Sequence, residues 1–183
     1  MTQPLLLAMP DSDIAPVTEG AVVDVAPDEA AQDRREKQAE KIRRSKTAEL
    51  LFCLRAVELG YEVKWMQGDC KNYDIILERP SMRPMFVQVK SAGTQAGRSD
   101  YVIRNSTEGV VYDAVAYDVL AVHLYDRNEW VLYTRSELGN RMSTSYMPAE
   151  FRQYAARNRA CDARDPNNWH LLNEVAESQT PTQ

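Results

Sequence analysis

Apolar and polar residues alternate most sharply over Met85–Lys90. A strand there puts Phe86, Gln88 and Lys90 on one face and Met85, Val87 and Val89 on the other. A second β-type run, Tyr73–Glu78, precedes it across an Arg-Pro-Ser-Met-Arg-Pro turn, so the two predict a hairpin. Gln88 and Lys90, two residues apart on a strand, then stand about 7 Å from each other on one face. Asp74, at the head of the partner strand, reaches the same neighbourhood if the register suits.

Upstream the pattern is helical. Thr47–Leu59 is strongly apolar, Gly60 is placed to end it, and Arg55 and Glu58 mark its wet side. Glu49 falls on the opposite side, beside Phe52, Cys53 and Ala56 at helical spacings. A carboxylate pointing inward costs several kcal/mol unless it is paired or metal-bound. Glu49 is therefore either half of a structural ion pair with a buried Lys or Arg, or a functional acid. Ala31–Lys46 begins this helix with seven Lys or Arg and three acidic residues. It reads as a solvated extension, or alternatively as a basic arm that meets phosphates.

Tyr61, Val63 and Trp65 alternate with Glu62 and Lys64 and predict the first strand, followed by a polar loop over Gln67–Asn72. Ser91–Asp100 reads as a loop, Tyr101–Asn105 as a strand, and Ser106–Tyr117 is ambiguous. Val119–Tyr125 and Trp130–Tyr133 predict a strand pair across an Asp-Arg-Asn-Glu turn. Pro148–Arg159 reads as a late helix, and the chain after Glu174 as loose. The order of helix, strands, strands and helix predicts an α/β sandwich with a mixed sheet.

At 183 residues the chain supports one core, and one domain over residues 31–175 is expected. Residues 1–30 carry six acidic residues and no Lys or Arg, and read as a disordered acidic segment; residues 176–183 read as a flexible tail. The net charge of -5 comes from that segment, because the rest holds 22 basic against 21 acidic residues. Local patches therefore matter more than the total. The three cysteines, Cys53, Cys70 and Cys161, follow no metal-ligand spacing and suit a reduced, cytoplasmic setting. No apolar run approaches the roughly 20 residues that span a membrane.

Glu49, Asp74, Gln88 and Lys90 form the candidate chemistry. Asp74 offers a charged oxygen to a hard divalent cation, and the Gln88 side-chain carbonyl and the Val89 backbone carbonyl offer neutral ones. Glu49 would bind the ion or one of its waters. Lys90 would orient the attacking water or stabilise developing negative charge. The chemistry that suits this set is metal-assisted phosphodiester hydrolysis. Alternatively, Asp74 caps a turn, Gln88 satisfies backbone groups and Lys90 snorkels to water.

These residues resemble the PD-(D/E)XK nuclease superfamily from Lys46 to about Leu138. The likeness rests on helix Glu49, Gly60-Tyr61, Tyr73-Asp74-Ile75, Gln88-Val89-Lys90-Ser91 and Tyr117-Asp118-Val119-Leu120-Ala121-Val122. Within the superfamily the chain looks most like the branch that includes group I intron homing endonucleases, where a Gln-Val-Lys run also occurs. The resemblance implies a restriction-endonuclease-like α/β core, with a mixed sheet of roughly four to six strands flanked by helices. It also implies DNA cleavage dependent on Mg²⁺ or Mn²⁺, of homing or junction-resolving type, with Asp74, Gln88 and Glu49 at the metal. Two departures stand out: no proline precedes Asp74, and Gln88 replaces the usual second acid, which removes a negative charge from the metal site. A catalytically silent nuclease-fold module for nucleic-acid binding or assembly is the alternative.

Lys46, Lys71, Arg98 and Arg104 border the candidate site and are expected to contact DNA phosphates. Arg152, Arg157 and Arg159 form a weaker second patch. Cutting both strands of a duplex calls for two sites, so a homodimer or higher homo-oligomer is expected. His123 reads as an ordinary strand histidine.

Overall fold

The computed structural model describes residues 29–66, 72–95, 97–107, 109–113, 115–154, 162 and 164–178. The acidic segment 1–28, Cys70, Lys71, Arg157, Arg159 and Cys161 lie outside the described residues. Helix α1 runs unbroken over Glu29–Glu58. It ends where Gly60 takes a φ of +83°. The Tyr61 amide then donates to the Ala56 carbonyl (3.0 Å) and the Gly60 amide to that of Val57 (2.9 Å), the paired bonds of a Schellman turn.

Strands β1 (Glu62–Trp65), β2 (Ile75–Glu78) and β3 (Met85–Ala92) follow as an antiparallel meander. The predicted hairpin is β2–β3, with Ile75 opposite Val87. β3 runs two residues further than expected: Ser91 and Ala92, read as the start of a loop, pair with His123 and Leu124. The short strands β4 (Tyr101–Arg104), β5 (Ser106–Thr107) and β6 (Val110–Val111) precede β7 (Val119–Leu124) and β8 (Glu129–Thr134). The main sheet has the order β1-β2-β3-β7-β8, antiparallel except for the central β3–β7 pair. Helix α2 (Arg135–Leu138) is capped by Thr134, and β9 (Ser143–Tyr146) pairs back onto β4 as a separate ribbon.

Two corrections concern the C-terminal part. The late helix expected over Pro148–Arg159 is a 3₁₀ turn at Ala149–Tyr154, and the remainder of that stretch lies outside the described residues. The chain after Glu174 is helical as far as Ser178: α3 spans His170–Ser178 and buries Leu171, Leu172, Val175 and Ala176, while residues 179–183 of the expected tail lie outside the described residues. Four apolar side chains at helical spacing on the sheet outweigh the polar character of the rest of the segment.

The sheet separates two cores. On one side α1 and α3 pack Phe52, Ala56, Leu172 and Val175 against Ile75, Val87, Val89, Val119 and Ala121. On the other, Leu120, Val122 and Leu124 meet Tyr101, Ile103, Tyr112, Tyr117 and Tyr146 from the β4–β9 layer, with Phe86 and Tyr73 packed alongside. The alternation along β3 is therefore real. Its Val87–Val89 face is sealed under α1, and its Phe86–Gln88–Lys90 face looks toward the second layer.

Candidate active site

Asp74 sits just ahead of β2, where its amide donates to the Val87 carbonyl at 2.9 Å. Its carboxylate oxygen Oδ2 accepts the Val89 amide at 2.8 Å and a short bond from Gln88 Nε2. Oδ1 accepts no hydrogen bond among the described residues. The β2–β3 register thus turns two residues 14 positions apart into direct partners. Burial pushes the Asp74 pKa up, and the Glu49 charge adds to that; the Val89 amide and the Lys90 and Lys46 cations pull the other way. Glu49 and Lys90, from elements on opposite sides of the sheet, therefore both act on the same carboxylate.

Glu49 is buried, at 6% exposure. It has an ion-pair partner, though not the buried cation that one reading expected: Lys46 Nζ lies 2.7 Å from Glu49 Oε2. The Lys46 side chain itself remains 61% exposed and lies 5.9 Å from the Trp65 ring centroid. Among the described residues Lys90 makes no ion pair. Its ammonium donates to the Tyr112 hydroxyl at 3.1 Å and stands 5.0 Å from that ring's centroid.

Tyr112 was not legible as a site residue, because it falls in the ambiguous stretch before β7. A buried network fixes it there. Arg135, only 7% exposed, donates to the backbone carbonyls of Tyr112 and Asp113, and the Tyr117 ring packs edge-on at 5.5 Å. Asp118, in the same run, is structural: Oδ2 accepts the Phe86 amide at 2.8 Å and Oδ1 holds Arg83 at 2.7 Å, which staples the start of β7 to β3.

Of the basic residues expected at DNA, Arg104 is exposed at the end of β4 and Lys46 is engaged with Glu49. Arg98 is tied to buried Asp100 by bonds of 2.8 and 2.7 Å. Lys71 lies outside the described residues. Arg152 donates to the Met147 and Arg164 carbonyls and serves the C-terminal fold. His123 is buried in the sheet and bonds Asn128, as an ordinary strand histidine does.

Among the described residues no three His, Cys, Asp or Glu side chains gather as a metal-binding cluster. Gln88, bonded to Asp74, brings an amide rather than a carboxylate to this site. The remaining donors are Asp74 Oδ1, Glu49 and the amide oxygen of Gln88, all hard oxygens of the kind Mg²⁺ takes. Their net charge suits one divalent ion. For Gln88 to face an ion with its carbonyl, its amide must turn over, because Nε2 now points at Asp74.

No protein family and no curated protein matches the chain. Among solved structures, the bacterial homing endonuclease I-Ssp6803I aligns over 76% of this chain and 97% of its own, with a TM-score of 0.60 at 19% sequence identity. The chain shares the fold of that enzyme. The shared architecture is the mixed five-stranded sheet flanked by helices, as expected from the sequence.

Proposed function

We propose that this protein is a metal-dependent DNA endonuclease that hydrolyses phosphodiester bonds, in the manner of a homing endonuclease or a junction-cleaving enzyme. The observation that carries this reading is Asp74 itself. It is a half-buried carboxylate bonded to Gln88 and acted on by the charges of Glu49 and Lys90, on a sheet shared with a DNA-cutting enzyme's fold. Asp74, Gln88 and Glu49 would hold a Mg²⁺ or Mn²⁺ ion, with the Val89 carbonyl within the same turn of chain. When bound, that ion supplies Lewis-acid polarisation of the phosphate and a more acidic water.

The protein's own groups do the rest. Asp74 fixes its orientation through the Val89 amide, so its free oxygen is aimed without reorganisation. Lys90, positioned by its hydrogen bond to the Tyr112 hydroxyl, presents its ammonium to the phosphate. As water forms its bond to phosphorus and the bond to the departing sugar oxygen breaks, that charge meets the oxygens on which negative charge builds. Cutting both strands then requires two such sites, and the protein acts as a homodimer or higher homo-oligomer on DNA inside the cell. No helix among the described residues is long and apolar enough to cross a membrane.

Incubation of the purified protein with plasmid and branched DNA, with Mg²⁺ or with EDTA, tests the reading. Metal-dependent hydrolysis that disappears in Asp74→Ala and Lys90→Ala supports it. A second reading, a silent nuclease-fold module that binds nucleic acid, is favoured by the Gln88 amide nitrogen facing Asp74 and by the Lys46–Glu49 pair. Intact DNA bound without metal, with no effect of Lys90→Ala, identifies that module instead.

A further inference from the structure

Beside the candidate active site, a cleft of about 610 Å³ opens between the N-terminal half of α1, the end of β3 and the strand β4. Its walls carry Lys41 from α1, Lys90 from β3 and Arg104 from β4, with Ser91, Gln95 and Ser106 between them and, among the described residues, no carboxylate. Three cations from three separate elements face this cleft, and only Lys90 also feels a carboxylate, that of Asp74, so an anion seated among them relieves their mutual repulsion.

Pairing on the rest of α1 makes this concentration specific. Lys37, Arg43, Arg44, Lys46 and Arg55 each reach a carboxylate on the same helix. Among the described residues Lys41 and Arg104 reach none, and Lys90 has only the Tyr112 hydroxyl. Lys41 is also held in place. Arg44, three residues on and so on the same face, stacks 4.0 Å from the Tyr125 ring centroid. Tyr125 in turn fills the space over Gly93, where an added Cβ would come within 2.2 Å of the ring. That contact docks the charged half of α1 onto the end of β3 and hangs Lys41 over the cleft.

We propose that this cleft is a binding site for a backbone phosphate of the DNA strand, next to the phosphate presented to Asp74. Lys41 and Arg104 are its ligands, and Lys90 is shared between the two positions. The proposal rests on the nuclease reading for the identity of the strand, and on the cleft's own charge for the existence of the site.

The test uses the full chain, a fluorescein-labelled duplex oligonucleotide and EDTA, with binding followed by anisotropy over a series of KCl concentrations. Lys41→Gln and Arg104→Gln, both at surface positions, should each weaken binding about three- to tenfold. Each should also lower the slope of log affinity against log salt by about one. Lys64→Gln, which removes a cation already paired with Glu78 on the edge strand, should change neither. Affinity and slope unchanged in both cleft variants, or a wild type that binds no DNA, overturns the proposal. So does complete displacement of the oligonucleotide by millimolar inorganic phosphate, which would mark the cleft as a free-anion site. Cleavage in Mg²⁺ is scored separately. A wild type that hydrolyses DNA while the cleft variants bind normally keeps the nuclease and loses the cleft; one that binds through the cleft and never hydrolyses does the reverse.

Discussion

Lys46 and Glu49 form an ion pair in which one partner is in water and the other is not. The ammonium is 61% exposed and the carboxylate 8%, at a separation of 2.7 Å. The pair neutralises the acid that would otherwise stand uncompensated beside Asp74, and it is the arrangement a divalent ion would replace.

Lys46→Gln should therefore leave Glu49 buried and unpaired and lower stability by about 1 kcal/mol, the partner's exposure keeping the cost small. The same variant should gain more thermal stability from added Mg²⁺ than the wild type does, because Glu49 is then freed for the ion. Thermal melts with and without Mg²⁺ check both; equal metal-induced shifts would leave Glu49 out of any ion site.

Asp74 carries a raised pKa, mainly because burial disfavours its charge. A group with a raised folded-state value favours folding while it is protonated. That contribution is complete below the unfolded value near 3.8 and is lost as pH rises through the folded one. At neutral pH the ionised carboxylate thus works against the fold. Asp74→Asn should melt higher than the wild type at pH 7, the gap should close in acid, and hydrolysis should fall at least about a hundredfold.

Gln88→Glu adds the charge that the position lacks. In EDTA it should destabilise the protein, since a second carboxylate would replace the amide that now donates to Asp74. In Mg²⁺ it should bind the ion more tightly than the wild type. Isothermal titration with Mg²⁺ and melts in EDTA measure the two effects, which are expected to have opposite signs.

Tyr112→Phe keeps the ring beside Lys90 and removes the hydroxyl that accepts from its ammonium. One lost hydrogen bond of about 1 kcal/mol corresponds to about a fivefold drop in kcat. KM for DNA should be unchanged, because Lys41 and Arg104 remain. A thermal melt and single-turnover rates beside the steady-state kinetics separate this from a folding defect, which lowers the amplitude of a single turnover and not its rate constant.

Gly93→Ala places a methyl group against the Tyr125 ring. Tyr125 is 36% exposed, so the ring can swing outward and the fold should survive at a cost of about 1 kcal/mol. The contact with Arg44 should not survive. Anisotropy should show weaker DNA binding in this variant although no cation has been removed.

How far the sequence could be read follows the range of the interactions. The two-residue alternation of β3, the Gly60 stop and the inward Glu49 are local, and each stands where its pattern put it. The face shared by Gln88 and Lys90 was legible for the same reason. The β4–β9 ribbon pairs Tyr101 with Tyr146, 45 positions apart, and nothing near either residue announces the other. Tyr112 and Lys41 were missed because their importance comes from what they face. A tyrosine in an ambiguous stretch and one lysine among seven basic residues carry no distinguishing local signal. Helix α3 was missed because four apolar residues on the sheet stabilise it, and its own nine residues would not hold a helix alone.

The continuity of α1 sets a length scale. Lys41 and Glu49 lie on one uninterrupted helix, eight residues apart, which at 1.5 Å per residue is about 12 Å along the axis. Under the nuclease reading, that unbroken backbone would hold the cleft and the candidate metal site at a fixed separation: lengthening it by one turn between Lys41 and Glu49 would move one relative to the other without altering either.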